Sequence, residues 1–311
     1  MARLILVRIA FLPLVVLGVT VVLFAISQVI PSDPARLIVG DYVPPAVRAA
    51  INAKYGLNQP VLEQYGKYMT RLLHGDLGTS IRYNVSVASI LRSAFPATLE
   101  LVAGGAFVNV ILTTSLGFLA ARFRNTWIDA TIRAFALIGT STATFVVALV
   151  CILIFGFYLN ILPISGQGSP PDIQHLIMPA FVLGYSDAGN NVRVFRASLI
   201  DAMSKDYVRA ARGRGIGERT ILLKHAGLNS LAPTITVIGL SVARIAGAVI
   251  LVETVFAWPG IGQLLDVGIL WNDFPLLTGA LLLLLIYTVV VTLIVDVLYR
   301  VIDPRLRSET S

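Results

Sequence analysis

KDYVRAARGRGIGERTILLKHAGLNSLAP, Lys205 to Pro233, is a cationic, glycine-punctuated stretch set inside a strongly apolar polypeptide. Of the 311 residues 56% are hydrophobic and 13% charged, and the mean hydropathy of +0.82 lies far from that of a soluble globular domain. The chain belongs in a bilayer, so membrane lipid is its first implied partner. A net charge of +7 on such a chain is explained by basic cytoplasmic loops rather than by nucleic acid, which is set aside as a partner. The single cysteine, Cys151, sits in an apolar run, excludes an intrachain disulfide or a cysteine metal site, and reads as packing.

Outward from Lys205–Pro233 the chain reads as six membrane helices. Ile9 to Ile30 is uncharged and preceded by Arg3 and Arg8; it exceeds the apolar region of a signal peptide, about 7 to 15 residues, and reads as a retained first helix. Residues 1–30 are thus a cytoplasmic N-terminus with helix 1. Residues 31–95 form an extracytoplasmic helical subdomain, in which Pro44 and Pro45 can open one short helix. Val61, Leu62, Tyr65, Tyr68, Met69, Leu72 and Leu73 mark an amphipathic second one, and GDLGTS (Gly75 to Ser80) ends it. Residues 96–311 are the transmembrane core, with spans at Pro96–Ala121, Ala134–Leu159, His175–Val192, Leu231–Phe256 and Leu276–Tyr299. The connections Asn160–Gln174 and Ala257–Pro275 contain no Lys or Arg, whereas eight basic residues lie between Arg193 and Lys224. The bias puts both termini in the cytoplasm, with a long cytoplasmic loop at 193–230.

Ionisable groups at membrane depth are costly and default to functional candidates. Glu100, Glu253 and Asp296 lie near helix ends, where interfacial water can satisfy them. Asp187 and Arg244 lie deeper, at similar depth by helical rise. They can pair across the fourth and fifth helices or share a wet cavity with Asn190 and Asn191; a purely structural ion pair stays equally open. Asp187, Asn190, Asn191, Arg244 and Glu253 are the candidates for a translocation path. GYSDA (Gly184 to Ala188) approaches a nucleophile elbow, but Ser186 sits mid-helix, where a serine bonds its own backbone, and no histidine shares its depth. The chain has no phosphate loop: Gly66-Lys67 lacks the upstream glycine spacing and the following Ser or Thr. No span carries an arginine ladder. The chain is expected to be no enzyme and to bind no cofactor or metal, so ATP and Mg, if used, belong to partner subunits.

Within the loop, Arg193 to Met203 continues the fourth helix. Ser204 is then a helix N-cap and Asp206 occupies a first turn, with Tyr207, Ala210 and Ala211 on one face and Arg209 and Arg212 on another. Gly213, Gly215 and Gly217 stop this helix, and Glu218 to Leu228 returns as a second one. Composition alone leaves docking and simple solvation or lipid contact evenly matched.

The residues YVRAARGRGIGERTILLKHA resemble the EAA loop of binding-protein-dependent ABC importer permeases, with Arg209-Ala210-Ala211 standing for EAA and Gly215 for its glycine. Arginine in place of glutamate is similar to the dipeptide, oligopeptide and nickel branch. YGLNQPVLEQYGKYM (Tyr55 to Met69), HGDLGTS (His74 to Ser80), FPATLEL (Phe95 to Leu101) and VETVFAWPGIGQLL (Val252 to Leu265) resemble its first-permease type. The resemblance implies an all-α integral membrane protein of the ABC type I importer permease fold, in a bacterial or archaeal inner membrane. It implies three kinds of partner chain: a second homologous permease, two ATP-binding subunits and an extracytoplasmic solute-binding protein. It also implies an ATPase-coupling segment at Asp206, Tyr207, Val208, Arg209, Ala210, Ala211, Arg212, Gly213, Arg214 and Gly215. The cargo implied is a peptide, with nickel complexes, glutathione-like solutes or sugar derivatives as alternatives within the family and an ion-driven secondary transporter as the alternative outside it.

Overall fold

A computed structural model describes residues 13–25, 44–47, 49 and 59–302, with backbone alone at 231, 232, 296 and 298–302. The flanks of the expected span Ile9–Ile30, most of the expected helix at Pro44, the side chain of Asp296 and the C-terminal basic residues Arg305 and Arg307 lie outside the described residues. Among the described residues the structure is helical, with one isolated bridge between Thr79 and Ser86. It divides into two compact units: residues 1–98 with 259–287, and residues 99–258 with 288–311.

In the first unit, α1 (Pro13–Ala25) meets α2 (Val61–Leu73) through side chains: Thr20 Oγ1 lies 3.2 Å from Tyr65 Oη, and Phe24 packs on Tyr65 and Tyr68. The amphipathic spacing of 61–73 gives α2 as expected, opened after Pro60 with Glu63 in its first turn and Arg71 in its last, each at the end its charge favours. Gly75 and Gly78, both at positive φ, turn the chain beyond it. The turn is tied down by the buried carboxylate of Asp273, which accepts from Ser80 Oγ (2.5 Å), the Arg82 N–H (2.9 Å) and the Leu276 N–H (3.2 Å). The Arg82 guanidinium lies 3.8 Å over the Trp271 ring. The connection 257–275 contains a short apolar helix, α9 (Ile261–Leu270), whose first N–H donates to Thr98 Oγ1 at 2.9 Å.

Helix α3 (Val87–Arg122) crosses the expected boundary at 95/96, with Pro96 inside it. Proline removes one helical hydrogen bond near the helix start, a loss that membrane helices tolerate. In the second unit the expected span Ala134–Leu159 is not continuous. It is α4 (Trp127–Ser141) followed by α5, helical over Thr144–Cys151 and π-helical over Ile152–Tyr158, and the two are bent by 112°. Thr142 and Ala143 adopt extended backbone at the break. Then come α6 (Ile173–Ser204), α7 (Asp206–Gly213), the turn Glu218–Thr220 with the π-helical Ile221–Ala226, α8 (Gly227–Val255) and, after α9, α10 (Phe274–Ile302). Among the described residues three helices are long and apolar enough to cross a membrane, or four if the bent pair is one span. Helix α6 is long enough but interrupted by Asp187, Asn190, Asn191, Arg193 and Arg196.

Glycines let α6 approach its neighbours. A Cβ at Gly184 would meet the Gly105 carbonyl oxygen of α3 at 2.7 Å, and one at Gly189 would sit on the Ala136 carbonyl of α4. At the other edge of the α4–α6 contact, buried Asp129 accepts from Arg196 Nε and Nη2, both at 2.7 Å, and from the Asn125 N–H at 3.1 Å, with Arg133 at 3.4 Å.

Candidate functional site

The segment from Lys205 is built by a break and a reversal. Lys205 adopts an extended conformation between α6 and α7. The expected N-cap at Ser204 is not formed: Ser204 is still helical, and its hydroxyl donates back to the Asp201 carbonyl at 2.7 Å. Asp206 opens α7 and lies 3.3 Å from Arg209. The reversal beyond α7 needs a left-handed residue at one point, Gly215 (φ +77), whereas Gly217 has ordinary φ.

Which face of α7 is free differs from the expectation. Val208 and Ala211 are buried against Ile221, with Met203 and Ile216 at the margin of this small core. Tyr207, Arg209, Ala210 and Arg214 are exposed. The expected cluster of Tyr207, Ala210 and Ala211 is therefore split, because the returning chain places Ile221 against the 208/211 side. Arg212 closes the reversal with a two-pronged pair to Glu218, at 2.5 and 3.2 Å.

Those bonds hold the Glu218 carboxyl below the usual carboxylate range. A lowered carboxylate pKa gives stability that is present above the ordinary value and lost as pH falls through the lowered one. Glu218→Gln is accordingly expected to speed amide exchange across 212–218 at neutral pH, with the difference from the parent vanishing in acid, as hydrogen-exchange mass spectrometry at two pH values would show.

A second polar constellation lies within the second unit, where α3, α6 and α8 meet. Depth alone left the relation of Asp187 and Arg244 open; Arg244 Nε donates to Asp187 Oδ1 at 2.9 Å. Arg244 Nη2 donates to Ser241 Oγ (2.8 Å), which also accepts from Asn191 Nδ2 (2.7 Å) and donates to the Val237 carbonyl (2.9 Å). Asn191 Nδ2 further reaches Asn109 Oδ1 (3.0 Å), and Asn109 Nδ2 donates to the Gly184 carbonyl (3.1 Å). Asn190 is exposed and takes no part. Glu253 lies elsewhere on α8 and, against the expectation of interfacial water, has no accessible surface; the chain reverses at Ala257 (φ 47) and Phe256 and Trp258 are buried beside the turn. Glu100, another of the expected helix-end acids, accepts from Gln167 Nε2 at 2.6 Å. Ser186 bonds its own helix at the Val182 carbonyl (2.9 Å), as a structural serine does. Sequence reasoning missed Asn109 and Ser241. The signal was available for Ser241, one helical turn before Arg244, and Asn109 is a lone amide in an apolar span.

The match to known proteins covers nearly the whole chain. Residues 113–308 match the family described as binding-protein-dependent transport system inner membrane component, and residues 1–102 match the corresponding N-terminal family. The chain belongs to this family. The permease is 39% identical to the probable D,D-dipeptide transport system permease of Escherichia coli K12, over 95% of this chain and 94% of the other. It is 34% identical to the dipeptide transport system permease of Alkalihalophilus pseudofirmus (96% and 98% covered). To the glutathione transport system permease of Salmonella paratyphi A it is 36% identical (93% and 94% covered). Among solved structures, an inward-facing methionine ABC transporter aligns with a TM-score of 0.57 at 17% identity, covering 69% of this chain and 96% of that one, a likeness of fold. The permease is thus a helical, non-catalytic inner-membrane subunit of a binding-protein-dependent ABC importer.

Proposed function

We propose that the permease carries peptides, delivered by an extracytoplasmic binding protein, along a path it forms with a second homologous permease, driven by two ATP-binding subunits that hold ATP and Mg. In this reading six helices cross the membrane with both termini cytoplasmic, and the ATPase receives the exposed side of α7. The observation that carries the coupling role is the division of α7 into two faces. Val208 and Ala211 lock it to Ile221, leaving Tyr207, Arg209, Ala210 and Arg214 outward with no use in the chain's own core. A helix so fixed can transmit a push that a free loop would absorb. Peptide cargo rests on the names of the dipeptide and glutathione relatives. Among the candidate path residues, the contacts of Asp187, Asn191 and Arg244 favour a role together, whereas Asn190 is exposed and Glu253 lies further along α8.

Ala210→Arg tests the docking face without touching the core. ATP-driven uptake should fall about tenfold or more, the loss of a central interface contact, while the purified permease melts at its parental temperature. Parental uptake would sink the docking role. Ala211→Arg and Gly215→Glu are poorer tests: the first overfills the core with Ile221, and the second forces a side chain into a left-handed conformation.

A further inference from the structure

We infer that Arg244 receives the solute's carboxylate inside the permease, held ready by Asp187 and Ser241; this rests on the peptide reading above. Arg244 lies about 16 Å from the Val255 end of α8 by helical rise, and its side chain is 51% exposed. A guanidinium at that depth is stable facing water or a partner helix and is costly facing lipid tails. Two of its five N–H donors are engaged, Nε by Asp187 and one of Nη2 by Ser241. Among the described residues the other three have no partner, which leaves Nη1 and the rest of Nη2 for a two-pronged carboxylate bond.

Beside it, Asp187 Oδ2 and Asn191 Oδ1 are buried acceptors with no hydrogen-bond partner among the described residues. Buried acceptors without donors are expensive. Both oxygens are closed to solvent in this conformation, so it is the half-exposed guanidinium, and not these acceptors, that an incoming carboxylate meets first. Asp187 also keeps the site near neutral, which lets a bound anion leave again.

The test compares uptake of a dipeptide with that of the same dipeptide amidated at its C-terminus, by the assembled importer in proteoliposomes with one binding protein throughout. Arg244→Gln alone strands a half-buried carboxylate, so the variant of choice is Arg244→Gln with Asp187→Asn, which removes both charges together. The preference of the parent for the free carboxylate should shrink about tenfold, the worth of one charge-assisted bond. An unchanged preference in the double variant overturns the inference and leaves the pair structural. If that variant fails to accumulate, Arg244→Lys keeps the charge and loses the fork; its preference should still fall several-fold, and an unchanged one is equally fatal. Parental importer that takes up neither peptide sinks the peptide reading, and this inference with it.

Discussion

Arg196→Ala is expected to be the most damaging single change in the permease outside its transport sites. Asp129 has no accessible surface and depends on two 2.7 Å bonds from Arg196. Removing one partner of a buried ion pair costs about 3–5 kcal/mol, because the remaining charge is left without compensation. Asp129 is in the first turn of α4, close to the chain's loop, and Arg133 stays within 3.4 Å, so the lower end of that range, about 3 kcal/mol, applies. The detergent-solubilised variant should melt well below the parent. Asp129→Asn combined with Arg196→Gln should recover much of the loss, since an amide pair keeps hydrogen bonds and leaves no bare charge. A variant lacking Arg196 that melts like the parent would show that the pair contributes nothing to holding α4 on α6.

Gly189→Ala is the second. The added Cβ falls on the backbone carbonyl of Ala136, with the Thr140 methyl at 2.8 Å, and a backbone carbonyl cannot rotate aside as a side chain does. The helices must separate, at about 1–3 kcal/mol for overpacking of this kind. Tyr185, whose hydroxyl donates to the Phe135 carbonyl at 2.9 Å across the same contact, would be pulled from its partner. Lower accumulation in the membrane and a lower melting temperature are the expected results. As a control, alanine at Gly213, where an added Cβ meets nothing within 4 Å, should leave the melting temperature within about 1 °C.

Long apolar runs gave α3, α8 and α10 their positions, and the Gly215 turn with its cations marked out α7. The break between α4 and α5 was hidden because no proline or glycine occupies 141–144; Ser141, Thr142, Ala143 and Thr144 all fit a membrane helix, and the 112° bend follows from extended backbone at two ordinary residues. Helix α3 ran past Pro96 for the converse reason, a breaker overruled by its surroundings. The faces of α7 were ambiguous because Tyr207/Ala210 and Val208/Ala211 are both apolar pairs three residues apart, and only the distant Ile221 decides between them. Asn109 needed a partner 82 residues away before its role was visible.

One consequence follows from the length of α6. It runs 32 residues without interruption from the His175 turn to Ser204, about 48 Å at 1.5 Å per residue, and one extended residue, Lys205, joins it to α7. A rod of that length has the geometry of a lever: a tilt of about 5° about its middle would move each end by about 2 Å. Asp187 and Asn191 stand close to the pivot, where displacement is least and hydrogen-bond geometry is best kept, while α7 hangs from the far tip, where travel is greatest. Pro179 marks the softest point on the arm, toward its other end.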